Sequence, residues 1–151
     1  MLNIILNPVA GKGRAANFRD VVARVFERSG VSYRFRETKR RGAAKDIARD
    51  LTLKGETDII AMGGDGTANE VLNGLVEPER VRFGLIPCGS GNDFAQAVGI
   101  PANPQAAAEL ILRTTPVRTD YLRCGDVRGL NVIGTGIDVD ILRRSYGAKL
   151  L

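Results

Sequence analysis

Histidine is absent from this 151-residue chain, which removes the commonest general base. Cysteine is nearly absent: Cys88 and Cys124 are too few for a disulfide framework and, without histidine, unsuited to a zinc site. They read as two reduced, semi-buried thiols of a cytoplasmic protein, and any acid–base chemistry falls to carboxylates. No apolar run reaches the roughly 18 residues of a membrane span. The opening Met1-Leu2-Asn3-Ile4-Ile5-Leu6 has no basic stretch before its short apolar run, so it does not read as a signal peptide. Aromatic residues make up only 5% of the chain, too few to serve the basic residues as a base-stacking platform, so nucleic acid is not expected as a partner.

What is present fits one globular domain with a real core. Hydrophobic residues are 44% and charged residues 26%, and the length suits a single unit rather than two. The 18 glycines exceed the ~7% of ordinary composition, and they gather where strands end. Charge is uneven: residues 1–54 carry 13 Lys or Arg against 5 Asp or Glu, a net +8, whereas residues 55–151 carry 9 against 12, a net −3. A basic segment suits phosphates or an anionic membrane surface. Arg14, Arg19, Arg24 and Arg28 read more simply as the solvated side of a helix.

Apolar spacing alternates between strand and helix. Leu2–Leu6 is a short apolar run ended by Asn7-Pro8, hence a buried strand. Phe18, Val21, Val22, Val25 and Phe26 then mark one face of a helix from Arg14 to Ser29, stopped by Gly30. A strand over Val31–Arg36 and a helix carrying Ala44, Ile47, Ala48 and Leu51 follow. Next come a strand over Thr57–Met62, a helix carrying Val71, Leu72 and Leu75, and a strand over Arg82–Ile86. Two further helices are expected, one around Phe94–Val98 and one over Ala106–Arg113. Val117–Arg123 and Leu130–Gly134 are expected to pair as a hairpin around residues 125–129, and a helix is expected to begin at Ile141. The alternation predicts an α/β fold with a mostly parallel sheet and helices on both faces.

Ligands of such sheets lie beyond the carboxyl ends of the strands, where three glycine-bearing loops fall: residues 7–13, 63–67 and 87–93. Gly63-Gly64-Asp65-Gly66-Thr67 joins a strand to a helix, so its glycines admit a bulky anion and the free N–H groups of the helix start face it. Asp65 would repel phosphate unless a cation intervenes, and Mg²⁺ favours one or two carboxylates plus phosphate oxygens. The alternative is a tight turn whose Asp and Thr cap the helix. Gly11-Lys12-Gly13-Arg14-Ala15-Ala16 matches a dinucleotide fingerprint, with Glu37 as its acidic partner, although four residues separate the preceding strand from Gly11. Gly89-Ser90-Gly91-Asn92-Asp93 supplies a hydroxyl, an amide and a carboxylate, with Asn92 or Asp93 also suited to capping the following helix.

Asn7-Pro8-x-Ala10-Gly11, Gly63-Gly64-Asp65-Gly66-Thr67 with Asn69-Glu70, and Gly89-Ser90-Gly91-Asn92-Asp93-Phe94-Ala95 together resemble the diacylglycerol kinase catalytic domain. That family includes bacterial lipid kinases and, more distantly, sphingosine and ceramide kinases. The glycine loop alone is shared with NAD kinases and phosphofructokinases, and the third segment distinguishes the lipid-kinase branch, whose commoner form has Thr in place of Ser90. The resemblance implies a fold like the first domain of NAD kinase and diacylglycerol kinase over residues 1–151. It implies that ATP contacts Asn7, Pro8, Val9, Ala10, Gly11, Thr38, Gly63, Gly64, Asp65, Gly66, Thr67, Ala68, Asn69, Glu70, Ser90, Gly91 and Asn92. Asp65 would engage Mg²⁺, and Asp65, Asp93 and Asp120 would lie near the reacting centre, while Asp138 stays unassigned. The implied reaction is transfer of the ATP γ-phosphoryl group to a lipid hydroxyl, in the cytoplasm or peripherally at a membrane. In that family a β-rich second domain and an acidic general base follow, and neither is expected within these residues. A non-catalytic nucleotide-binding module and an NAD(P)-type dinucleotide binder remain the alternatives.

Overall fold

Successive side chains of a strand leave opposite faces, so an apolar run such as Leu2–Leu6 must be covered on both sides. In the computed structural model, which describes residues 1–133, both covers are present. Ile4, Leu6, Ile60, Met62 and Ile86 pack with Val22, Phe26, Ala107 and Ala108. On the other face Ile5, Ile59, Ala61 and Leu85 pack with Ala44, Ala48, Leu51, Val71 and Leu72. The strands are β1 (Leu2–Leu6), β2 (Tyr33–Glu37), β3 (Asp58–Gly63) and β4 (Arg82–Pro87), in the order β2-β1-β3-β4 with every pair parallel. Helices α1 (Arg14–Arg28) and α5 (Pro104–Arg113) cover one face, and α2 (Ala43–Leu53) and α3 (Asp65–Gly74) the other. A five-residue helix, α4 (Asp93–Ala97), follows β4. This is the α/β arrangement expected. Phe26 and Ile4 are fully enclosed, and each contributes on the order of 1.5–3 kcal/mol through burial.

Local chemistry sets where the elements start and stop. Gly30, at φ +69°, ends α1 with its N–H on the Glu27 carbonyl while the Val31 N–H reaches Phe26 O. Val31 thereby belongs to the helix end, and β2 begins at Tyr33 rather than Val31. Asn103 caps α5, its side chain accepting from the N–H groups of Gln105 and Ala106 with Pro104 at the first helical position. The helix therefore starts two residues before Ala106.

The hairpin differs from expectation. Its strands are β5 (Leu122–Cys124) and β6 (Val127–Gly129), joined by Gly125-Asp126 with Gly125 at φ +59°. A two-residue connection favours positive φ at its glycine, so the turn is shorter than residues 125–129 and Val117–Tyr121 is left irregular and exposed. Cys88 is buried but Cys124 is exposed, so only one of the two thiols is sheltered. Gly134, Asp138 and the helix expected from Ile141 lie outside the described residues.

Arg14, Arg19, Arg24 and Arg28 all lie exposed on α1, as the solvated-face reading requires. Arg19 stacks over Phe35 at 4.9 Å and pairs with Glu37 at 3.4 Å. Among the described residues no helix is long and apolar enough to cross a membrane.

Candidate functional site

After β1 the chain places β2 on one side and then returns to place β3 on the other, so the winding reverses between β1 and β3. A crevice outside the carboxyl ends of strands at such a reversal is where open α/β sheets bind ligands. The loops after β1, β3 and β4 meet there, and the contacts joining them are specific.

Asn7, the first residue beyond β1, donates its backbone N–H to Met62 O at 2.9 Å and its side-chain amide to Thr67 Oγ1 at 3.0 Å. Thr67 is buried against Gly63, where an added Cβ would stand 2.4 Å from Thr67 Oγ1. Gly11 lies at φ +60°, and a Cβ there would fall 2.1 Å from the Cys88 carbonyl oxygen, which presses the first loop on the third. Gly89 meets Gly64 backbone to backbone, since a Cβ on Gly89 would come within 2.5 Å of Gly64 Cα. These glycines are therefore needed to pack loop on loop.

Gly66 stands apart from them. It is exposed in the first turn of α3, its φ is not in the left-handed region, and a Cβ there would meet nothing within 4 Å. N–H groups of a first helical turn have no partner inside the helix and attract anions. Packing among the described residues gives no reason for glycine at this position.

Asp65 Oδ2 accepts the Asn92 N–H at 2.7 Å, and its Oδ1 accepts the Phe94 N–H at 3.4 Å. The carboxylate thus ties the second loop to the third, holding the start of α4. Asn92, at φ +59°, closes the third loop by accepting the Gly89 N–H at 2.9 Å and donating to Gly89 O at 3.0 Å. A Cβ at Gly91 would lie 3.1 Å from Asp65 Oδ2 and 3.2 Å from Asp93 Oδ1, so two carboxylates flank one glycine. Neither forms an ion pair among the described residues.

The other residues singled out from sequence are less uniform. Thr38 is half-buried beside Asn7 and donates its N–H to Leu6 O at 2.8 Å. Pro8 and Ala10 are half-buried in the first loop, where Val9 is exposed; Ser90 is exposed in the third. Ala68 is buried in the core beneath the second loop, and Asn69 is exposed. Glu70 accepts the N–H groups of Gly42 at 2.9 Å and Ala44 at 3.3 Å. It supplies the cap that α2 lacks, because Gly42 has no side chain to provide one. Asp120 lies exposed on the irregular stretch before β5, and among the described residues no hydrogen bond or ion pair joins it to the loops. Sequence reasoning missed the Asn73–Arg128 contact, in which the Asn73 amide pairs with the backbone of Arg128 on β6.

Burial pushes the Cys88 thiol up to about 11, with nearby Arg14 opposing weakly. It is a protonated, inert thiol at neutral pH, and what it brings to the site is its carbonyl. A wider groove opens at the amino-terminal end of the strands, past Leu2, Ile60, Phe83 and Ile111. Its charged side chains, Asp58 and Arg82, already pair with each other, and it holds none of the three glycine loops.

Residues 1–124 match the model of the diacylglycerol kinase catalytic domain. The chain is 35% identical to the diacylglycerol kinase of Staphylococcus haemolyticus over 135 residues, covering 88% of this chain and 41% of that one. It is 32% identical to sphingoid long-chain bases kinase 1 of Arabidopsis thaliana, covering 94% of this chain and 20% of the relative. A crystal structure of a diacylglycerol kinase from Bacillus anthracis superposes with a TM-score of 0.70 at 31% identity, over 84% of this chain and 44% of that one. The chain spans less than half the length of each of these relatives.

Proposed function

The chain belongs to the diacylglycerol kinase catalytic domain family, and from that premise we propose that it binds Mg·ATP across its three glycine loops as the nucleotide-binding part of an ATP-dependent lipid kinase. The observation that carries this reading is the joining of the loops at the β1/β3 reversal through Asn7–Thr67, Gly11–Cys88, Gly64–Gly89 and Asp65–Asn92. ATP would lie along Asn7–Gly11, Thr38, Gly63–Glu70 and Ser90–Asn92, with its phosphates over the first turn of α3. Gly66 leaves that approach open.

The donor set fits Mg²⁺. Among the described residues no three acidic or cysteine side chains converge, but Asp65 and Asp93 flank Gly91, and this cation takes one or two carboxylates with phosphate oxygens and waters. When bound there it would neutralise charge between the carboxylates and the phosphates. The two N–H groups received by Asp65 fix its direction and leave about half of its four lone-pair sites free. In the transfer, the bond from the γ-phosphorus to the ADP oxygen breaks as one to the lipid hydroxyl oxygen forms, and the hydroxyl proton passes to a carboxylate or to water. The chain's part is positioning and charge placement, which supply most of the catalysis in phosphoryl transfer. Asp93, and Asp120 through the approach to β5, would complete the acidic surroundings of the reacting group.

A lipid acceptor implies work at a membrane surface, and the net +8 of residues 1–54 supports peripheral docking on an anionic cytoplasmic leaflet. Calorimetric titration with ATP, with and without Mg²⁺, and with NADH tests the core of the reading. Mg²⁺-dependent ATP binding is expected, weakened ~10–100-fold in Asp65→Asn, since a hydrogen-bonded charge contributes about 1.5–3 kcal/mol. Binding of NADH with no binding of ATP would overturn it.

A further inference from the structure

Helix α3 begins at the candidate nucleotide loop and ends, ten residues later, under the hairpin. The join at that far end is built from four hydrogen bonds between residues more than fifty apart in sequence. Asn73 Nδ2 donates to the Arg128 carbonyl at 2.7 Å, and the Arg128 N–H donates to Asn73 Oδ1 at 2.8 Å. The side-chain amide thereby reads both backbone groups of one β6 residue, as a neighbouring strand would. Arg128 Nη1 in turn donates to Leu72 O at 3.1 Å and to Leu75 O at 2.6 Å. Leu72 O belongs to the last turn of α3 and Leu75 is its C-cap residue; carbonyls at a helix end lack partners within the helix, and a cation there also suits the helix dipole. Gly129 is buried beside Arg128, and Leu130 packs on the core cluster beneath α3.

The clamp reaches further along the hairpin. Arg123 of β5 is the register partner of Arg128, and the Tyr121 ring lies 5.9 Å from the Arg128 guanidinium. Asp120 precedes Tyr121 directly and has no contact of its own with the loops among the described residues. Its place is therefore inherited from the hairpin. We infer that Asn73 and Arg128 are positioning residues that fix the hairpin, and with it Asp120, relative to the nucleotide loop through the rigid length of α3. This inference rests on the nucleotide reading above for the role of Asp120 but not for the clamp itself.

Cys124 makes the clamp measurable without engineering a probe. It is the exposed thiol on β5, whereas Cys88 is buried and protonated, so a nitroxide reagent at neutral pH labels the hairpin alone. In the 151-residue protein the label is expected to show restricted motion. Asn73→Ala, which removes the amide pairing but keeps a good helix former, should release it while leaving the melting of the sheet domain in place. Arg128→Lys should release it partly, because the ammonium stops one bond short of Nη1, the nitrogen that now serves both carbonyls, and hangs on a flexible stem in place of a rigid planar fork. With Mn·ATP bound, electron–electron distance measurement from Cys124 should give one narrow distance in the native protein and a broad distribution in Asn73→Ala, at unchanged Mn·ATP affinity. Equal label mobility in native protein and both variants would overturn the clamp. Failure of Mn·ATP to bind, with mobility responding as expected, would remove the nucleotide reading and leave the clamp standing.

Discussion

Replacing Gly66 by alanine separates two reasons a glycine can occupy the start of a helix. Among the described residues the fold gives no reason for it: a Cβ would meet nothing within 4 Å, the residue is exposed, and its backbone lies outside the left-handed region. Alanine in such a helical position gains about 0.5–1 kcal/mol over glycine, largely by restricting the unfolded chain. For a domain of this size that raises the melting temperature by roughly 1–4 °C. A phosphate oxygen received by these N–H groups must come to about 2.9 Å, and the new methyl would stand in its way. Losing one such charge-assisted bond costs about 1.5–3 kcal/mol, hence a ~10–100-fold loss of ATP affinity. The expected variant is thus more stable and binds nucleotide worse, a combination that simple damage to the fold cannot produce. Thermal denaturation and calorimetry on the same sample would read both quantities. Unchanged ATP affinity beside a raised melting temperature would refute the placement of phosphates over Gly66.

Glu70→Ala should cost about 1–2 kcal/mol in urea unfolding, the usual loss for a missing helix cap, because α2 has no cap of its own. Glu70→Gln, with one acceptor in place of two, should lose less. A thiol reagent at pH 8 should titrate one cysteine in the native protein, Cys124, and the second only after unfolding. The native state also holds on to the Cys88 proton that the unfolded chain releases, so stability should fall as pH rises from about 9 towards 11. Cys88→Ala should remove that part of the pH dependence; an identical fall in the variant would show that other groups cause it.

The strands and the three loops were legible because their signals are local: apolar runs such as Leu2–Leu6, and glycines placed at their ends. The use of those glycines was not. Gly64 and Gly66 are alike in sequence, yet one stands against Gly89 of the third loop and the other meets nothing among the described residues, a distinction set by residues folded back from elsewhere. The same holds for Glu70, whose partners Gly42 and Ala44 lie on another helix. The hairpin register differs from the sequence expectation because Val117 and Tyr121 alternate like a strand but have no strand partner among the described residues, and Gly125-Asp126 makes the turn. The start of α5 was readable, since Asn103-Pro104 is a capping pair. The apolar spacing begins later, at Ala106, and by itself places the start two residues too far along.

Helix α3 has an unusual number of commitments for ten residues. Asp65 is bonded to Asn92 and Phe94, Thr67 to Asn7, Glu70 to Gly42 and Ala44, and Asn73 to Arg128; a Cβ at Gly74 would stand 2.2 Å from Lys45 O. Ordinary surface helices drift freely in sequence on their polar side, because solvent accepts nearly any polar group. Here the polar side is the constrained one, and each of those residues answers to a different partner. Apolar positions such as Val71 and Leu72 can exchange for others of similar volume at modest cost. In a saturation mutagenesis screen for folded protein, the usual ranking should therefore invert along α3, with Asp65, Thr67 and Glu70 tolerating fewer replacements than Val71 and Leu72.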